Sequence, residues 1–240
     1  MAILISILSL LLSLIYVLVL SFLKKGWIAL PDFVYADHSA KTLVSVIVAA
    51  RNEEDNIART IEDILAQDYP SQLMELIVID DHSTDQTAAI IASYADRGVR
   101  LIELNENEPL NSYKKKAIAT AIDGASGDLI VTTDADCRMG QRWLSSVVSF
   151  FEQGNYHMVS SPVVYFEEKS FFERLQTLEF LFLIGLGAAG IGNKMPSTCN
   201  GANLAYRKKT FYAVGGFSGI DQLASGDDEL LLHKIAEKFP

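Results

Sequence analysis

The chain has 240 residues, half of them hydrophobic, which is enough for one domain with a sizeable core. Its formal net charge is -10, from 30 acidic and 20 basic residues, so it repels polyanions, and we expect no nucleic-acid partner. The two cysteines, Cys137 and Cys199, form no C-x-x-C pair, and the four histidines are scattered. This pattern argues against a zinc site and against a disulfide-stabilised fold.

The chain begins with a long apolar run. Residues 2–23 contain only apolar residues and serine, and ~20 such residues span a bilayer core. No basic residue precedes the run and no clean small-x-small motif follows it, which argues against a cleaved signal peptide. Lys24 and Lys25 follow, and the positive-inside rule places the rest of the chain in the cytoplasm. We therefore predict a single-pass membrane anchor over residues 1–25 and a linker over residues 26–41.

Beyond the linker, short apolar runs alternate with helical patterns. Residues 43–50 are continuously apolar and rich in β-branched side chains, which is typical of a strand buried on both faces of a parallel sheet. We predict further strands at residues 76–79, 99–104 and 128–133. We predict an α/β fold, a Rossmann-like and mostly parallel sheet flanked by helices with right-handed crossovers. The domain that contains this sheet is expected over residues 42–240.

Two further segments have patterns that predict helices. Ser83, with Gln86 three residues later, predicts a capping box at the start of the second helix of this domain. Residues 171–192 are mostly apolar, but their uninterrupted part, residues 180–192, is short for a bilayer span. We expect a buried helix there. The alternative is a helix that lies in the membrane interface with its phenylalanines among the headgroups.

Charged side chains follow the predicted strands at the points where the strands end. They occur in three clusters, which are Arg51-Asn52-Glu53, Asp80-Asp81 and Asp134-Ala135-Asp136. In sheets of this kind, ligands bind outside the carboxyl ends of the strands. We therefore predict that the three clusters lie around one binding site.

The motif Asp134-Ala135-Asp136 allows two interpretations. In an extended backbone the two carboxylates point the same way, and two like charges are costly unless a cation binds beside them. Mg²⁺ or Mn²⁺, held by one or two carboxylates and by substrate phosphates, meets that need. An ordinary turn is the alternative, because aspartate is common in turns. The motif by itself leaves both interpretations open.

Two later charged clusters also allow two interpretations each. Lys114-Lys115-Lys116 begins a predicted helix and is either a solvated basic surface or a contact for a pyrophosphate. Asp227-Asp228-Glu229 precedes another helix, whose dipole stabilises acidic residues at that position. The functional alternative for this second cluster is a general base that accepts a proton from an attacking hydroxyl.

Taken together, six short stretches resemble the family 2 glycosyltransferases, which have the GT-A fold. They are V-S-V-I-V-A-A-R-N-E-E (44–54), V-I-D-D-H-S-T-D (78–85), K-K-K-A-I (114–118), G-D-L-I-V-T-T-D-A-D (127–136), N-G-A-N (200–203) and S-G-D-D-E-L-L (225–231). The resemblance covers about residues 43–239. It implies transfer of a sugar, with inversion, from a nucleotide-diphosphate sugar to an acceptor hydroxyl on a lipid-linked molecule or a polysaccharide. It also implies dependence on Mg²⁺ or Mn²⁺.

The resemblance implies a role for each matching residue. Nucleotide-sugar binding is expected from Arg51, Glu53, Asp81, Lys116 and Asp134. Asp136 would hold the metal, and Asp228 would be the general base. The wall around the acceptor and the donor sugar is expected from Asn200, Gly201, Asn203 and Asp227. Two positions depart from the family pattern. Lys115 stands where the family has glycine, which leaves Lys115 and Lys116 as alternatives for the donor contact, and Asp227 stands where glutamate is more usual.

Other functions stay open at this stage. A nucleotidyltransferase needs a similar metal site, but it usually has a glycine-rich loop after the first strand, and residues 49–52 contain no glycine. A phosphatase with Asp80 as nucleophile is disfavoured, because no D-x-D-x-T motif follows that strand. A catalytically silent, membrane-anchored protein that binds nucleotide sugars would keep the same acidic pairs. Because the chain stops at Pro240, before any Q-x-x-R-W element of processive members, we expect the domain to be truncated at its C-terminus.

Overall fold

The computed structural model describes residues 1–35, 40–104 and 111–240, so the polar run of the predicted linker, residues 37–39, lies outside the described residues. The helices are α1 (Ala2–Ala29), α2 (Ile57–Leu65), α3 (Thr87–Ala92), α4 (Tyr113–Gly124), α5 (Trp143–Gln153), α6 (Phe171–Gly192), α7 (Lys208–Ala213) and α8 (Glu229–Lys238). The strands are β1 (Val44–Ala50), β2 (Met74–Asp80), β3 (Val99–Glu103), β4 (Leu129–Asp134), β5 (Met158–Ser160) and β6 (Leu204–Arg207). Short 3-10 helices cover Ser71–Leu73, Ala95–Arg97 and Gly201–Asn203.

The strands form one sheet in the order β3-β2-β1-β4-β6-β5. The pairs β3-β2, β2-β1 and β1-β4 are parallel, whereas β6 runs antiparallel to both β4 and β5. Ala50 at the end of β1 is level with Asp80 of β2, and Ala49 is level with Asp134 of β4. The predicted mostly parallel sheet is confirmed, and its register brings the carboxyl ends of three strands to one edge.

Apolar side chains with the expected periodicity hold the helices against this sheet. Val46 and Val48 of β1 are fully buried, as continuous apolar strands of parallel sheets usually are. On α2, the residues Ile57, Ile61 and Ile64 recur at helical spacing and are also fully buried. Each such side chain contributes about 1.5–3 kcal/mol relative to an exposed one. The core thus fixes β1 and α2, and with them the loop that joins the two.

The predicted capping box at Ser83 is wrong. Helix α3 begins at Thr87, and the cap residue Gln86 makes no side-chain capping bond. The backbone N–H of Thr87 instead donates to Asp85 Oδ1 at 3.0 Å, and Ser83 Oγ accepts a bond of 2.9 Å from the backbone of Asn52. Ser83 is therefore used by a neighbouring loop and not by its own helix, which is a tertiary contact that a local motif does not encode.

The chain forms two compact units. One comprises Phe33–Val163 and Asn200–Pro240 and contains the sheet; the other comprises Met1–Asp32 and Val164–Cys199 and contains α1 and α6. Helix α1 continues four residues past the predicted anchor boundary at residue 25. The second unit also takes up a segment that was expected inside the domain over residues 42–240. The boundaries at residues 25 and 41 stay predictions of where anchor, linker and domain begin.

Helix α6 differs from its prediction. Its buried residues are Gly187, Ala189 and Gly190, near its C-terminal end, while most side chains of its first half are exposed. The expected buried helix is therefore wrong for most of α6. Among the described residues, α1 and α6 are each long and apolar enough to cross a membrane, judged by length and composition.

Candidate active site

The loops after β1 and β2 are joined by reciprocal hydrogen bonds. Asn52 has a left-handed backbone, which asparagine tolerates better than most residues, and its side-chain oxygen accepts from the Thr84 N–H at 2.8 Å. In return, Ser83 Oγ accepts from the Asn52 N–H at 2.9 Å. One residue on, the Glu53 N–H donates to Thr87 Oγ1 at 2.8 Å. These bonds fix the direction of the first loop, so the side chains beside Asn52 have defined positions at the sheet edge.

Asp81 lies at the centre of this loop pair. It is buried, and its N–H donates to the Ala50 carbonyl at 2.8 Å, which continues the pairing of β1 with β2. One carboxylate oxygen lies 2.9 Å from His82 Nδ1, and the other lies 3.9 Å from Arg51 Nη1. The Arg51 guanidinium also stands over the Tyr113 ring, 5.6 Å from its centroid. A buried carboxylate with cationic and aromatic neighbours is suited to binding hydroxyl and ring groups of a nucleoside.

The acidic motif after β4 is held as a compact turn. Thr60 Oγ1 donates to the carbonyl oxygens of Ala135 and Cys137, at 2.6 and 3.0 Å. Ligand atoms of Asp134, Asp136 and Cys137 lie within 4.8 Å of one another. Burial raises the pKa of the Cys137 thiol, which disfavours the thiolate that metals bind. The donors suited to an ion are therefore the two carboxylates, and oxygen donors are those that Mg²⁺ and Mn²⁺ prefer.

Lys114 links this motif to the acidic cluster before α8. Its Nζ lies 2.8 Å from Asp134 Oδ1 and 3.7 Å from Asp227 Oδ2. Burial opposes the charge of the ammonium, but the surrounding carboxylates outweigh that effect and raise the pKa of Lys114 above its ordinary value. A stable positive charge is thus placed between the end of β4 and the loop that carries Asp227.

Lys115 has a different role from its neighbour. It is 2% exposed, and its Nζ donates to the carbonyl oxygens of Leu223 and Ser225, each at 2.6 Å. Ser112, the N-cap residue of α4, adds a 3.3 Å bond to the Ala224 carbonyl. The start of α4 therefore clamps the segment that leads into the Asp227-Asp228 pair.

The two aspartates of that pair are held differently. Asp228 is the N-cap residue of α8, and its Oδ1 accepts from the Glu229 N–H at 2.7 Å. Its Oδ2 accepts from the Gly201 N–H at 2.8 Å, so both carboxylate oxygens have backbone donors. Asp227 is mostly buried and directs Oδ2 towards Lys114. The contacts of Asp228 are those of a helix cap, whereas those of Asp227 belong to a charged cluster.

The predicted wall residues Asn200, Gly201 and Asn203 form a short turn beside the start of α8. Asn200 Oδ1 accepts from the backbone N–H two residues later at 2.9 Å, and Thr132 Oγ1 donates to the Gly201 carbonyl at 2.8 Å. Asn203 Oδ1 accepts from Trp143 Nε1 at 2.9 Å. The structure thus brings Gly201 into contact with Asp228, while the side chains of both asparagines stabilise the turn and its support.

An open cleft of about 310 Å³ lies at the carboxyl ends of β1, β2 and β4. Its lining residues are Ala49, Ala50, Arg51, Glu53, Asp81, Lys114, Asp134, Ala135 and Asp136. Five predicted site residues thus come together: Arg51, Glu53, Asp81, Asp134 and Asp136. The other predicted site residues in the described part of the chain do not line this cleft; they are Lys116, Asn200, Gly201, Asn203, Asp227 and Asp228. Lys116 is exposed.

The sequence-based reasoning did not identify Lys114 as the lysine at this cleft. Successive helical residues point about 100° apart, so the phase of α4 decides which of three consecutive lysines faces the site. The N-cap residue Ser112 sets that phase. Serine is a common N-cap residue, so the sequence contained a signal for where α4 begins and hence for the direction of Lys114.

Three buried polar side-chain atoms next to the cleft lining have no hydrogen-bond partner among the described residues. Among the described residues, Asp80 Oδ1, His82 Nε2 and Thr133 Oγ1 are buried side-chain atoms without a hydrogen-bond partner. Each belongs to a residue adjacent in sequence to Asp81 or Asp134. Buried polar atoms without partners are costly, and in native proteins they often mark functional positions. These strand ends are therefore suited to a polar ligand.

Comparison with known sequences identifies related enzymes. A beta-monoglucosyldiacylglycerol synthase of Nostoc sp. is 33% identical over 110 residues, which cover 46% of this chain and 24% of the relative. Glycosyltransferase AglE of Haloferax volcanii is 31% identical over 125 residues, which cover 52% of this chain and 40% of the relative. The matched segments therefore span well under half the length of these curated relatives.

Solved structures of two glycosyltransferases have a similar fold. The mannosyltransferase PcManGT of Pyrobaculum calidifontis, solved with GDP-Man and Mn²⁺, matches with a TM-score of 0.68 and 25% identity over 90% of this chain and 59% of that chain. TarS of S. aureus, solved with UDP-GlcNAc, matches with a TM-score of 0.54 and 22% identity over 80% of this chain and 53% of that chain. The predicted GT-A-like fold is confirmed. Residues 45–221 also match the family model "Glycosyl transferase family 2", and the chain belongs to that family.

Proposed function

We propose that this protein transfers a sugar from a nucleotide-diphosphate sugar to an acceptor hydroxyl. The observation that carries the proposal is the cleft at the ends of β1, β2 and β4, which is lined by Asp81, Asp134 and Asp136. Lys114 adds a positive charge beside Asp134. PcManGT and TarS were solved with GDP-Man and UDP-GlcNAc respectively, which supports a nucleotide sugar as the donor.

The donor is proposed to bind along the lining of the cleft. Arg51, Glu53 and Asp81 would surround the base and ribose, and Asp134 would lie on the ribose side. For the diphosphate we propose Lys114 in place of Lys116, because its ammonium lies 2.8 Å from Asp134 whereas the side chain of Lys116 is exposed outside the cleft lining. A lysine is well suited to this contact, since it binds phosphate as a compact point charge.

The carboxylate of Asp136 would hold Mg²⁺ or Mn²⁺, with the carboxylate of Asp134 beside it. Such an ion, when bound, neutralises charge on the diphosphate leaving group and orients it. The fit rests on two carboxylates whose oxygens lie within 4.8 Å, in a turn fixed by Thr60. PcManGT was solved with Mn²⁺, which supports a divalent cation as the cofactor.

We propose transfer with inversion by a single displacement. The acceptor hydroxyl attacks the anomeric carbon, the bond from that carbon to the diphosphate oxygen breaks, and the nucleoside diphosphate departs with the bonding electrons. A carboxylate takes the hydroxyl proton. The sequence favours Asp228 for this step, but both oxygens of Asp228 already accept backbone N–H groups. The carboxylate of Asp227 instead faces Lys114, which lines the cleft, so we propose Asp227 as the base and Asp228 as the residue that holds the loop.

Helix α1 is proposed as a single-pass membrane anchor with the catalytic domain in the cytoplasm. Its apolar residues are exposed throughout the part that precedes Lys24 and Lys25, as a lipid-facing helix requires. A membrane location suits a lipid-linked or polysaccharide acceptor of the cell envelope, and the Nostoc relative is named for a glycolipid product.

A product assay tests the proposed reaction. The full chain, reconstituted in vesicles with Mn²⁺ and a lipid extract as acceptor, is incubated with a panel of UDP- and GDP-sugars. Release of nucleoside diphosphate with labelled lipid or polymer supports transfer. Pyrophosphate would instead identify a nucleotidyltransferase, and donor binding without any product would identify a silent binding protein. The variant Asp136→Ala is the matched control for background hydrolysis.

A further inference from the structure

Helix α6 carries an exposed apolar stripe. Phe171, Leu175, Leu178 and Phe182 are 77%, 46%, 66% and 61% exposed. Their spacing of four, three and four residues places them on one face of the helix, and the exposed side chains of Phe172, Leu181 and Leu183 flank this face on both sides. The first-turn residue Glu173 lies on the opposite face, where it completes a capping box at the start of α6. Exposed apolar surfaces of this kind often bind a protein partner or a membrane.

The C-terminal ends of α1 and α6 pack backbone to backbone. A Cβ atom added to Gly26 would collide with the Ala189 carbonyl oxygen, and one added to Gly192 would collide with the carbonyl oxygen of Gly26. Asn193 Nδ2 also donates to the Phe22 carbonyl at 2.8 Å. Glycines at such contacts allow close helix approach, which is the usual packing of membrane helices. This end of α6 is therefore joined to the end of α1.

This junction sets the depth of α6. It lies beside Lys24 and Lys25, the residues that would mark the membrane surface if α1 spans the bilayer. The C-terminal end of α6 is then at the level of the lipid headgroups, so the apolar stripe on the same helix starts from the membrane surface. Lipid is therefore the occupant that the surroundings of the stripe favour.

A spanning orientation of α6 is disfavoured by its charges. Glu173, Arg174 and Glu179 all lie in its first half, and Glu179 is well away from the helix end. Charged side chains are costly in the hydrocarbon core, whereas a helix that lies in the interface keeps them among headgroups and water. With 22 residues, α6 would extend about 33 Å along the surface.

We propose that α6 is an interfacial helix whose stripe of Phe171, Leu175, Leu178 and Phe182 binds at the boundary between headgroups and acyl chains of the bilayer that α1 spans. This inference rests on the proposed anchoring by α1 but not on the proposed chemistry. It gives the protein a second membrane contact, and one that lies parallel to the surface.

Tryptophan quenching by brominated acyl chains tests the orientation of α6. The full chain is reconstituted in vesicles of phosphatidylcholine and phosphatidylglycerol, with or without bromine on the acyl chains. Leu178→Trp places the reporter on the stripe, and Gln176→Trp places it at an exposed position on the other side of the same helix. Emission of the parent, from Trp27 and Trp143, is subtracted. We expect about a twofold or greater loss of the added emission for Leu178→Trp and none for Gln176→Trp.

The remaining outcomes separate the possible failures. A Leu12→Trp variant, with the reporter in the middle of α1, tests the anchor separately. No quenching at residue 178, while the reporter at residue 12 is quenched, would overturn the proposal and leave the anchor intact. Equal quenching at residues 176 and 178 would mean that α6 is fully embedded, which also overturns it. If the reporter at residue 12 is not quenched either, the anchoring by α1 fails together with the proposal. None of these results depends on sugar transfer, which the product assay measures separately.

Discussion

Replacement of Asp227 by asparagine should remove most of the turnover and leave the fold intact. The amide has nearly the same size as the carboxylate but does not take up the proton of the acceptor hydroxyl. A positioned base typically contributes about 10²–10⁴-fold, equivalent to about 3–5 kcal/mol of the barrier. Since Asp227 contacts Lys114 at 3.7 Å and is not a helix cap, its loss should cost little stability.

Asp228 supplies the matched controls. Asparagine is an equally good N-cap residue, but its amide has only one acceptor oxygen, so Asp228→Asn keeps one of the two backbone bonds and should keep most of the turnover with a small fall in Tm. Alanine removes the cap, which costs about 0.5–2 kcal/mol, and it also leaves the Gly201 N–H without its acceptor. For a domain of 150–250 residues, each kcal/mol lowers the Tm by about 2–4 °C. The Asp228→Ala variant should therefore melt several degrees below the parent.

Three measurements separate the two aspartates. Release of nucleoside diphosphate reports turnover, calorimetric titration with UDP and Mn²⁺ reports donor-site affinity, and thermal denaturation reports stability. We expect a fall in turnover of at least a hundredfold for Asp227→Asn, with affinity and Tm close to the parent. Turnover within tenfold of the parent for Asp227→Asn, combined with a hundredfold loss for Asp228→Asn, would refute the assignment and return the role of base to Asp228.

Three further predictions concern the metal site, the lysine clamp and acid stability. Asp136→Ala should weaken Mn²⁺-dependent binding of UDP at least tenfold, and an unchanged calorimetric titration would contradict this. Lys115→Met removes both bonds to the segment before Asp227. It should lower kcat with little change in donor KM and speed amide exchange in residues 222–227; unchanged exchange would count against the clamp. The hydrogen bond from Arg138 lowers the pKa of Asp63, so this pair stabilises the fold above the ordinary aspartate pKa and loses its effect as the pH falls through the lowered one. Asp63→Asn should therefore lower the Tm at neutral pH, by an amount that shrinks as the pH falls below the ordinary aspartate pKa of ~3.9, whereas a difference in Tm that is independent of pH would argue against the ion pair.

Two adjacent lysines at the start of α4 make different contacts. Lys114 is directed to the carboxylates of the cleft, and Lys115 is directed to backbone carbonyls of the segment before Asp227. Lys115 stands where the family resemblance leads one to expect glycine, which has no side chain for such a clamp. The clamp therefore ties the diphosphate side of the site to the loop of the proposed base, and a change in one is expected to alter the other.

The sequence by itself determined the sheet and the edge at which the site lies. Continuous apolar runs such as residues 44–50 are stable only when buried on both faces, which requires a parallel sheet covered by helices. In parallel strands the residues that follow each run meet at one edge, so Arg51, Asp81 and Asp136 were placed together from their positions alone. The spacing of apolar residues along the chain is enough to indicate which segments are buried strands and where each strand ends.

The tertiary structure decided where each member of the polar clusters lies. The phase of α4 directs Lys114 and not Lys116 to the cleft, and the approach of Gly201 turns Asp228 into a cap while Asp227 faces Lys114. Likewise, the sequence predicts that α6 is a buried helix. In the structure, α6 packs against α1 near its C-terminal end, and its apolar face is exposed. Adjacent residues of one type have nearly the same local propensities. The choice between them depends on donors and acceptors that arrive from distant parts of the chain, which only the folded structure brings within 3 or 4 Å.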